Sequence, residues 1–258
     1  MFDLTGKNAL ITGASGGIGA DIARKLHAQG ATVGLSGTRT EPLEALKAEL
    51  GERAHVLPCN LSDMEAVDAL PKQAAEAMGS VDILVNNAGT SSTSRFEDMS
   101  NEQMTADIEL KVYGAVYGTR HALPYLKKSD SGVIINTTTP GGKAPAAGTQ
   151  PTALSRAAGI SLTKTWSKEL AEFSIRVNTI CIGLIKSGQH RASWARMHED
   201  NPDYSLDDHW QKMSQVVPLG RVGEADEAGD VICFLASAKA SYITGTSVNI
   251  DGGLSPVV

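Results

Sequence analysis

The sequence has few cysteines, no excess of basic residues and no apolar run long enough to cross a bilayer. The three cysteines, Cys59, Cys181 and Cys233, are odd in number, widely spaced and set among apolar residues, which favours buried thiols in a reducing compartment over a disulfide framework. A net charge of −6 argues against nucleic acid and anionic membranes as partners. The N-terminal residues lack a basic segment followed by a long apolar stretch, so we expect a cytoplasmic protein.

The 258 residues, 41% hydrophobic, are enough for a substantial core, and we expect one domain. Seven short apolar runs alternate with stretches of helical period, which predicts an α/β fold with a doubly wound parallel sheet of the Rossmann type. The runs are NALIT, ATVGLS, HVLPC, VDILVN, GVIINT, IRVNTICIG and SVNIDGG. Residues 187–215 form the one long irregular candidate, which is interpreted either as a lid or as a polar surface insertion.

A glycine cluster, TGASGGIG, follows the first strand and opens the first predicted helix. Gly13 permits a sharp turn, Gly17 lets backbone N–H groups approach a diphosphate, and Gly19 allows close packing of the helix. A tight turn without a ligand would also use glycines, but the order strand, glycines, amphipathic helix favours a dinucleotide site.

The chain resembles the short-chain dehydrogenase/reductase family along nearly its whole length. The resemblance rests on TGASGGIG, on NNAG at residues 86–89, on IRVNTICIG and on YITGTSVNIDGG. The first 97 or so residues are most similar to bacterial 3-oxoacyl-acyl-carrier-protein reductases, whereas the remainder resembles a divergent branch. The family's substrate selection lies mainly in the later part, so this likeness leaves the substrate open.

The resemblance implies an NADP or NAD cofactor, and the charges at the end of the second strand indicate which of the two is preferred. An NAD-selecting enzyme commonly places a carboxylate at the end of the second strand, but this chain has Gly37 there and Arg39 close by, which favours the 2′-phosphate of NADP. Arg39 as an ordinary solvated residue is the alternative. The cofactor contacts implied are Gly13, Ser15, Gly17, Ile18, Gly19, Arg39, Asn60, Leu61, Asn87, Ala88, Gly89, Arg156, Gly183 and Ile185; no metal ligands are implied.

The family's four catalytic positions are all changed in this chain. Alignment on the surrounding residues puts Lys111 at the usual Asn, Thr139 at the Ser, Thr152 at the Tyr and Arg156 at the Lys. Thr139 keeps a hydroxyl for a substrate oxygen, and Arg156 keeps a positive charge for the cofactor ribose. Thr152 is the serious change, because an aliphatic alcohol is a far weaker acid than a phenol and reaches less far.

Another group must then supply the proton. Lys111, crowded by Arg156, is one candidate, because its pKa would be lowered. The alternative is a lysine without a catalytic role, which pairs with an acid near Glu109 or reaches solvent. Water is a second source, and His190, His198 and Tyr204 of the lid candidate are others.

Two hypotheses therefore stand. One is a reductase or dehydrogenase acting on a small carbonyl or alcohol with an atypical site; the other is a dinucleotide-binding sensor or scaffold subunit without turnover. The resemblance also implies a homotetramer or homodimer, because the family pairs the helices equivalent to VYGAVYGTRHALPYL and TALSRAAGISLTKTWSKELA between subunits.

Overall fold

The structure, a computed structural model, describes residues 2–258. Seven parallel strands form one sheet in the order β3-β2-β1-β4-β6-β8-β9. These are β1 (Asn8–Ile11), β2 (Thr32–Gly37), β3 (Ala54–Pro58), β4 (Ile83–Asn86), β6 (Val133–Thr138), β8 (Arg176–Ile182) and β9 (Ser247–Ile250). The seven predicted strands and the doubly wound sheet are confirmed.

Helices cover both faces of the sheet. They are α1 (Gly17–Ala28), α2 (Thr40–Leu50), α3 (Met64–Met78), α4 (Asn101–Ile108), α5 (Gly114–Leu126), α6 (Thr152–Glu169), α7 (Gly188–Asp200), α8 (Leu206–Ser214) and α9 (Ala225–Ala236). No helix within residues 2–258 is long and apolar enough to span a membrane.

Burial of the central strands explains why they appear in the sequence as continuous apolar runs. Every residue of β4 and β6 is buried, as expected for parallel strands covered on both faces. One apolar cluster lies under α1 and α9 and includes Ile22 and Leu26; a second lies on the other face, with Leu70 of α3 and Leu126 of α5. The three cysteines are free and buried, as predicted.

Two local features shape the end of the sheet where the strands finish. A short antiparallel ribbon pairs β5 (Thr93–Ser94) with β7 (Gln150–Pro151) and brings the start of α6 against the segment after β4. Between α4 and α5 the chain makes a π-helical turn over Glu109–Tyr113, a wide turn often found at functional sites.

The expectation that residues 187–215 are irregular is wrong, because most of the segment folds as α7 and α8. Ser205 and Asp208 form a reciprocal capping box that starts α8. Whether the helix pair acts as a lid stays a prediction.

Candidate active site

The glycine turn between β1 and α1 lies where the sheet order reverses, since β1 pairs with β2 on one side and β4 on the other. Gly13 has φ +70°, and a Cβ there would lie 2.8 Å from the Cα of Ala88. A Cβ on Gly19 would overlap the carbonyl oxygen of Gly13. Backbone alone therefore fits here. We call Gly13, Gly17, Gly19 and Gly37 the glycine crevice; it is a cradle that suits a diphosphate at the N-terminus of α1.

The segment after β4 is tied to this turn through a residue that the sequence did not single out. The Oγ1 of Thr12 accepts hydrogen bonds from the backbone N–H of Asn87 (3.0 Å) and Ala88 (3.1 Å). The Nδ2 of Asn87 donates back to the Thr12 carbonyl at 3.0 Å. Asn87 thus fixes the floor of the crevice. A threonine directly before the glycine cluster was the available signal.

The end of β2 is built without an acid. A Cβ on Gly37 would lie 2.9 Å from the Oγ of Ser15, so no carboxylate side chain fits against the turn. Arg39 is exposed and donates from Nη2 to the Ser15 carbonyl at 2.8 Å, which lays its guanidinium along the glycine turn. Within residues 2–258 no carboxylate pairs with it.

Two further segments that the resemblance assigns to the cofactor differ in how they are held. Asn60 is exposed and its Oδ1 accepts the N–H of Ser62 at 3.1 Å, whereas Leu61 is buried. On the other side, Gly183 donates to the Ile250 carbonyl at 3.0 Å, and buried Ile185 bridges Gly223.

Ile18 and α7 both lie at the crevice. Ile18 is half-buried on the second residue of α1 and packs against the core. A Cβ on Gly17 would lie 3.7 Å from the backbone nitrogen of Gly188, the first residue of α7. Two helix N-termini, each with a positive partial charge, therefore start beside the same space.

Lys111 is paired with an acid near Glu109, which is one of the alternatives that the sequence left open: the acid is Asp107, two residues before Glu109. Its side chain is 1% exposed, and its Nζ forms a very short ion pair with Asp107, four residues earlier. The same Nζ donates to the Oγ1 of Thr152 at 2.9 Å. The structure thus joins Lys111 and Thr152 directly.

The Thr152 hydroxyl is also tied to the chain beside it. It accepts the N–H of Ser92 at 2.9 Å and donates to the carbonyl of the same residue at 2.7 Å. The β5–β7 ribbon holds Ser92 there. The hydroxyl hydrogen therefore points at Ser92 in this state, and Thr152 by itself is not poised as an acid.

Arg156 lies between α6 and the segment after β4. Its Nη1 donates to the Thr137 carbonyl at 2.7 Å, and its Nη2 fills the space where a Cβ on Gly89 would be. Within residues 2–258 its buried Nε has no partner. Burial lowers the pKa of Arg156 to about 10, so it stays cationic near neutral pH.

The charges around Lys111 oppose one another. Burial is the main cause that lowers the pKa of Lys111, and Arg156 lowers it further; Asp107 acts in the opposite direction. The net shift is downward from 10.5. A lysine of this kind loses its proton more readily than a solvated one. We call Asp107, Lys111, Thr152, Ser155 and Arg156 the Lys111 cluster.

Thr139 lies directly after β6, the strand whose Thr137 carbonyl accepts from Arg156. It is half-buried, in extended conformation before a turn at Pro140–Gly142. Among the described residues its hydroxyl has no hydrogen-bond partner. It is therefore free to bind an oxygen from outside the chain.

The three candidate proton donors in residues 187–215, His190, His198 and Tyr204, make their contacts within the α7–α8 pair. His198 contacts the Tyr204 carbonyl at 3.1 Å, and the Tyr204 hydroxyl contacts Nδ1 of His209 at 3.2 Å. Burial, with His209 nearby, lowers the pKa of His190. These contacts hold the two helices together, and none of them reaches the Lys111 cluster.

Known proteins resemble this chain over its full length. A family model described as enoyl-(acyl carrier protein) reductase matches residues 13–255. The 3-oxoacyl-[acyl-carrier-protein] reductase FabG of Rickettsia conorii is 35% identical over 254 residues, covering 98% of this chain and 99% of the relative.

Two solved structures have nearly the same fold. L-Sorbose reductase from Gluconobacter frateurii, in complex with NADPH and L-sorbose, has a TM-score of 0.94 and 29% identity, covering 100% of this chain and 99% of the other. A short-chain oxidoreductase from Pseudomonas aeruginosa PAO1, described as containing an atypical catalytic center, has a TM-score of 0.92 and 31% identity, with 100% of both chains covered.

Proposed function

Because the chain belongs to the short-chain dehydrogenase/reductase family, we propose that it interconverts a small carbonyl and its alcohol with NADP(H). The observation that carries the proposal is the glycine crevice, where Gly13 and Gly19 leave no room for a side chain. That crevice opens beside Thr12, Asn87 and Ala88, the residues that fix its floor. A bound nicotinamide would supply or accept the hydride.

The preference for NADP rests on the end of β2. Gly37 excludes a carboxylate that would repel a 2′-phosphate, and exposed Arg39 offers its guanidinium beside the turn. The G. frateurii relative binds NADPH, which supports this choice. Ser15, Ile18, Asn60 and Leu61 are the further cofactor contacts in the proposal.

Thr139 and Arg156 have separate roles in the proposal. Thr139 donates its free hydroxyl to the substrate oxygen and orients it. Arg156 presents its Nη2 beside Gly89 and binds a ribose hydroxyl, with a charge fixed at neutral pH. Gly183 and Ile185 border the nicotinamide, held by β9 and by Gly223.

The proton reaches the substrate oxygen through Thr152. The Lys111 ammonium gives a proton to the Thr152 Oγ1, 2.9 Å away, as the Thr152 hydroxyl turns from the Ser92 carbonyl and gives its own hydrogen to the substrate oxygen. Lys111 is left neutral and regains its proton from solvent. A relative described as having an atypical catalytic center fits a family that works with altered residues.

The first test is a fluorescence titration with NADPH, followed by NADPH oxidation with a panel of aldehydes and ketones. We expect binding and slow turnover with at least one carbonyl. Binding without turnover on any carbonyl, or with any alcohol and NADP, would favour the sensor or scaffold alternative. No binding of either pyridine nucleotide would contradict the cofactor assignment.

A second test restores the family's usual acid. Thr152→Tyr combined with Arg156→Lys should increase carbonyl reduction, because a positioned general acid typically contributes about 10²–10⁴-fold. Thr152→Phe with Arg156→Lys is the matched control, since it has the same bulk without the hydroxyl. Equal rates for the two double variants would count against this alignment. A cytoplasmic location and a homo-oligomer are further parts of the proposal.

A further inference from the structure

Asp107 is the buried acid that the sequence did not reveal. It lies in the last turn of α4, 4% exposed, and Lys111 follows it across the π-helical turn. Four-residue spacing normally places two side chains on one helix face, where such pairs are common on exposed surfaces. Here both side chains are 1% exposed, so the pair is enclosed by α6.

The carboxylate of Asp107 is held from two elements. Its Oδ1 accepts the hydroxyl of Ser155 at 2.6 Å, and its Oδ2 accepts Lys111 Nζ and lies 3.4 Å from the Oγ1 of Thr152. Ser155 and Thr152 both belong to α6, one turn apart. The acid therefore fixes the position of α6 relative to the lysine, and the lysine relative to Thr152.

The charges that face Lys111 are few. From its own helical segment comes Asp107, and from α6 comes Arg156. The segment after β4 presents Gly89, 3.4 Å from the Lys111 Cγ if it carried a Cβ, and the backbone of Ser92, neither of which is charged. Within residues 2–258, Asp107 is thus the one anion that acts on this amine, and Arg156 is the one cation.

We propose that Asp107 is the positioning residue of this site: it holds the Lys111 ammonium charged and against the Thr152 hydroxyl. The catalytic part of this inference, the role of Asp107 in the proton step, rests on the proposed function. In the proton step, Lys111 must begin charged, and a buried amine beside Arg156 without an anion would give up its proton to water. Asp107 itself touches neither substrate nor cofactor.

The test is an NMR titration of the Lys111 amine in the intact protein, with the signal assigned by its loss in Lys111→Arg. We expect Asp107→Asn, which keeps the shape and removes the charge, to lower the Lys111 pKa by at least one unit, a tenfold change in the ionisation constant. Asp107→Glu, which keeps the negative charge, should bring the Lys111 pKa most of the way back to its value in the unaltered protein. An unchanged pKa in Asp107→Asn would overturn the inference.

A second variant guards against failure of Asp107→Asn to fold. Ser155→Ala removes one hydrogen-bond donor to the carboxylate and leaves its charge, so the Lys111 pKa should stay equal to that of the unaltered protein or rise above it. A Lys111 pKa in Ser155→Ala that falls clearly below that of the unaltered protein, with the Thr152 contact intact, would contradict the role assigned to the Asp107 charge.

Activity separates this inference from the proposed function. In Asp107→Asn, kcat for carbonyl reduction should begin to fall at a lower pH than in the unaltered protein, while the NADPH dissociation constant stays the same. If the unaltered protein reduces no carbonyl, the proposed function fails and the amine titration alone decides on Asp107. If kcat falls at every pH without any shift of the profile, Asp107 is merely structural and the inference is wrong.

Discussion

The glycine crevice and the Lys111 cluster lie in one site but are built by different means. The crevice is made by backbone at positions where Gly13, Gly19 and Gly37 exclude side chains. The cluster is made by side chains from α4, the π-helical turn and α6 that satisfy one another's charges and hydrogen bonds. The crevice keeps the glycines of the family motif, whereas the sequence predicts that all four usual catalytic residues are replaced beside it.

The difference shows which part of a site tolerates replacement. Gly13 and Gly19 have no substitute in this cradle, because a Cβ at either position would meet main-chain atoms that cannot move independently. A side-chain cluster can be exchanged as a unit, provided that each buried charge and hydroxyl finds a partner. Asp107, Ser155 and Thr152 provide those partners for Lys111.

The largest effect, a loss of stability, should come from removing one partner of the buried Lys111–Asp107 pair. Lys111→Met leaves the Asp107 carboxylate buried without its cation, which should lower the free energy of unfolding by about 3–5 kcal/mol. Lys111→Met with Asp107→Asn should recover most of this loss. Urea denaturation at pH 7 measures both. Equal losses in the single and double variants would show that the pair is not coupled.

The crevice should respond to a single methyl group. Gly19→Ala places a Cβ on the Gly13 carbonyl, and overpacking of about 1–3 kcal/mol should weaken NADPH binding about 5- to 150-fold. Gly188→Ala is the control, because this glycine also begins a helix beside the crevice and has nothing within 4 Å of its Cβ. Similar affinities for the two variants would contradict the steric account. The Lys111 titration should be unchanged in both.

A smaller effect, on cofactor affinity, should show whether Arg39 selects NADPH over NADH. Arg39→Gln removes the charge beside the turn and keeps a donor of similar length, so NADPH binding should weaken about tenfold, as for a lost hydrogen bond to a charged group. NADH affinity should stay within about twofold, since NADH has no 2′-phosphate. Titration with both nucleotides measures the ratio. A parallel loss for both would mean that Arg39 supports the turn instead of reading the phosphate.

Sequence patterns predicted the sheet and the crevice because both depend on local or repeated features. Continuous apolar runs such as VDILVN marked buried strands, and the glycines marked positions without space for a side chain. The helices α7 and α8 were missed because both are polar and lack a buried apolar face: α7 has no buried residue and the buried residue of α8 is His209. Ser205 and Asp208 nevertheless carry a capping signal. That spacing could have predicted the start of α8.

The Lys111 cluster could not be predicted beyond its aligned positions. Asp107 and Ser155 are 48 residues apart in sequence, and Ser92 meets Thr152 across 60 residues. No spacing rule connects such pairs, because the fold alone brings α4, the β5–β7 ribbon and α6 together. The charge on Lys111 therefore depended on an acid that only the structure identifies.

The most direct test of the whole account is single-turnover oxidation of bound NADPH by the best carbonyl of the panel, measured across pH. The unaltered protein should lose rate as pH rises through the Lys111 pKa, which lies below 10.5, because the charged amine is the proton source. The double variant Lys111→Met with Asp107→Asn should bind NADPH equally well, react about 10²-fold more slowly and lack that decline. Equal rates with the same pH dependence in both proteins would contradict the account.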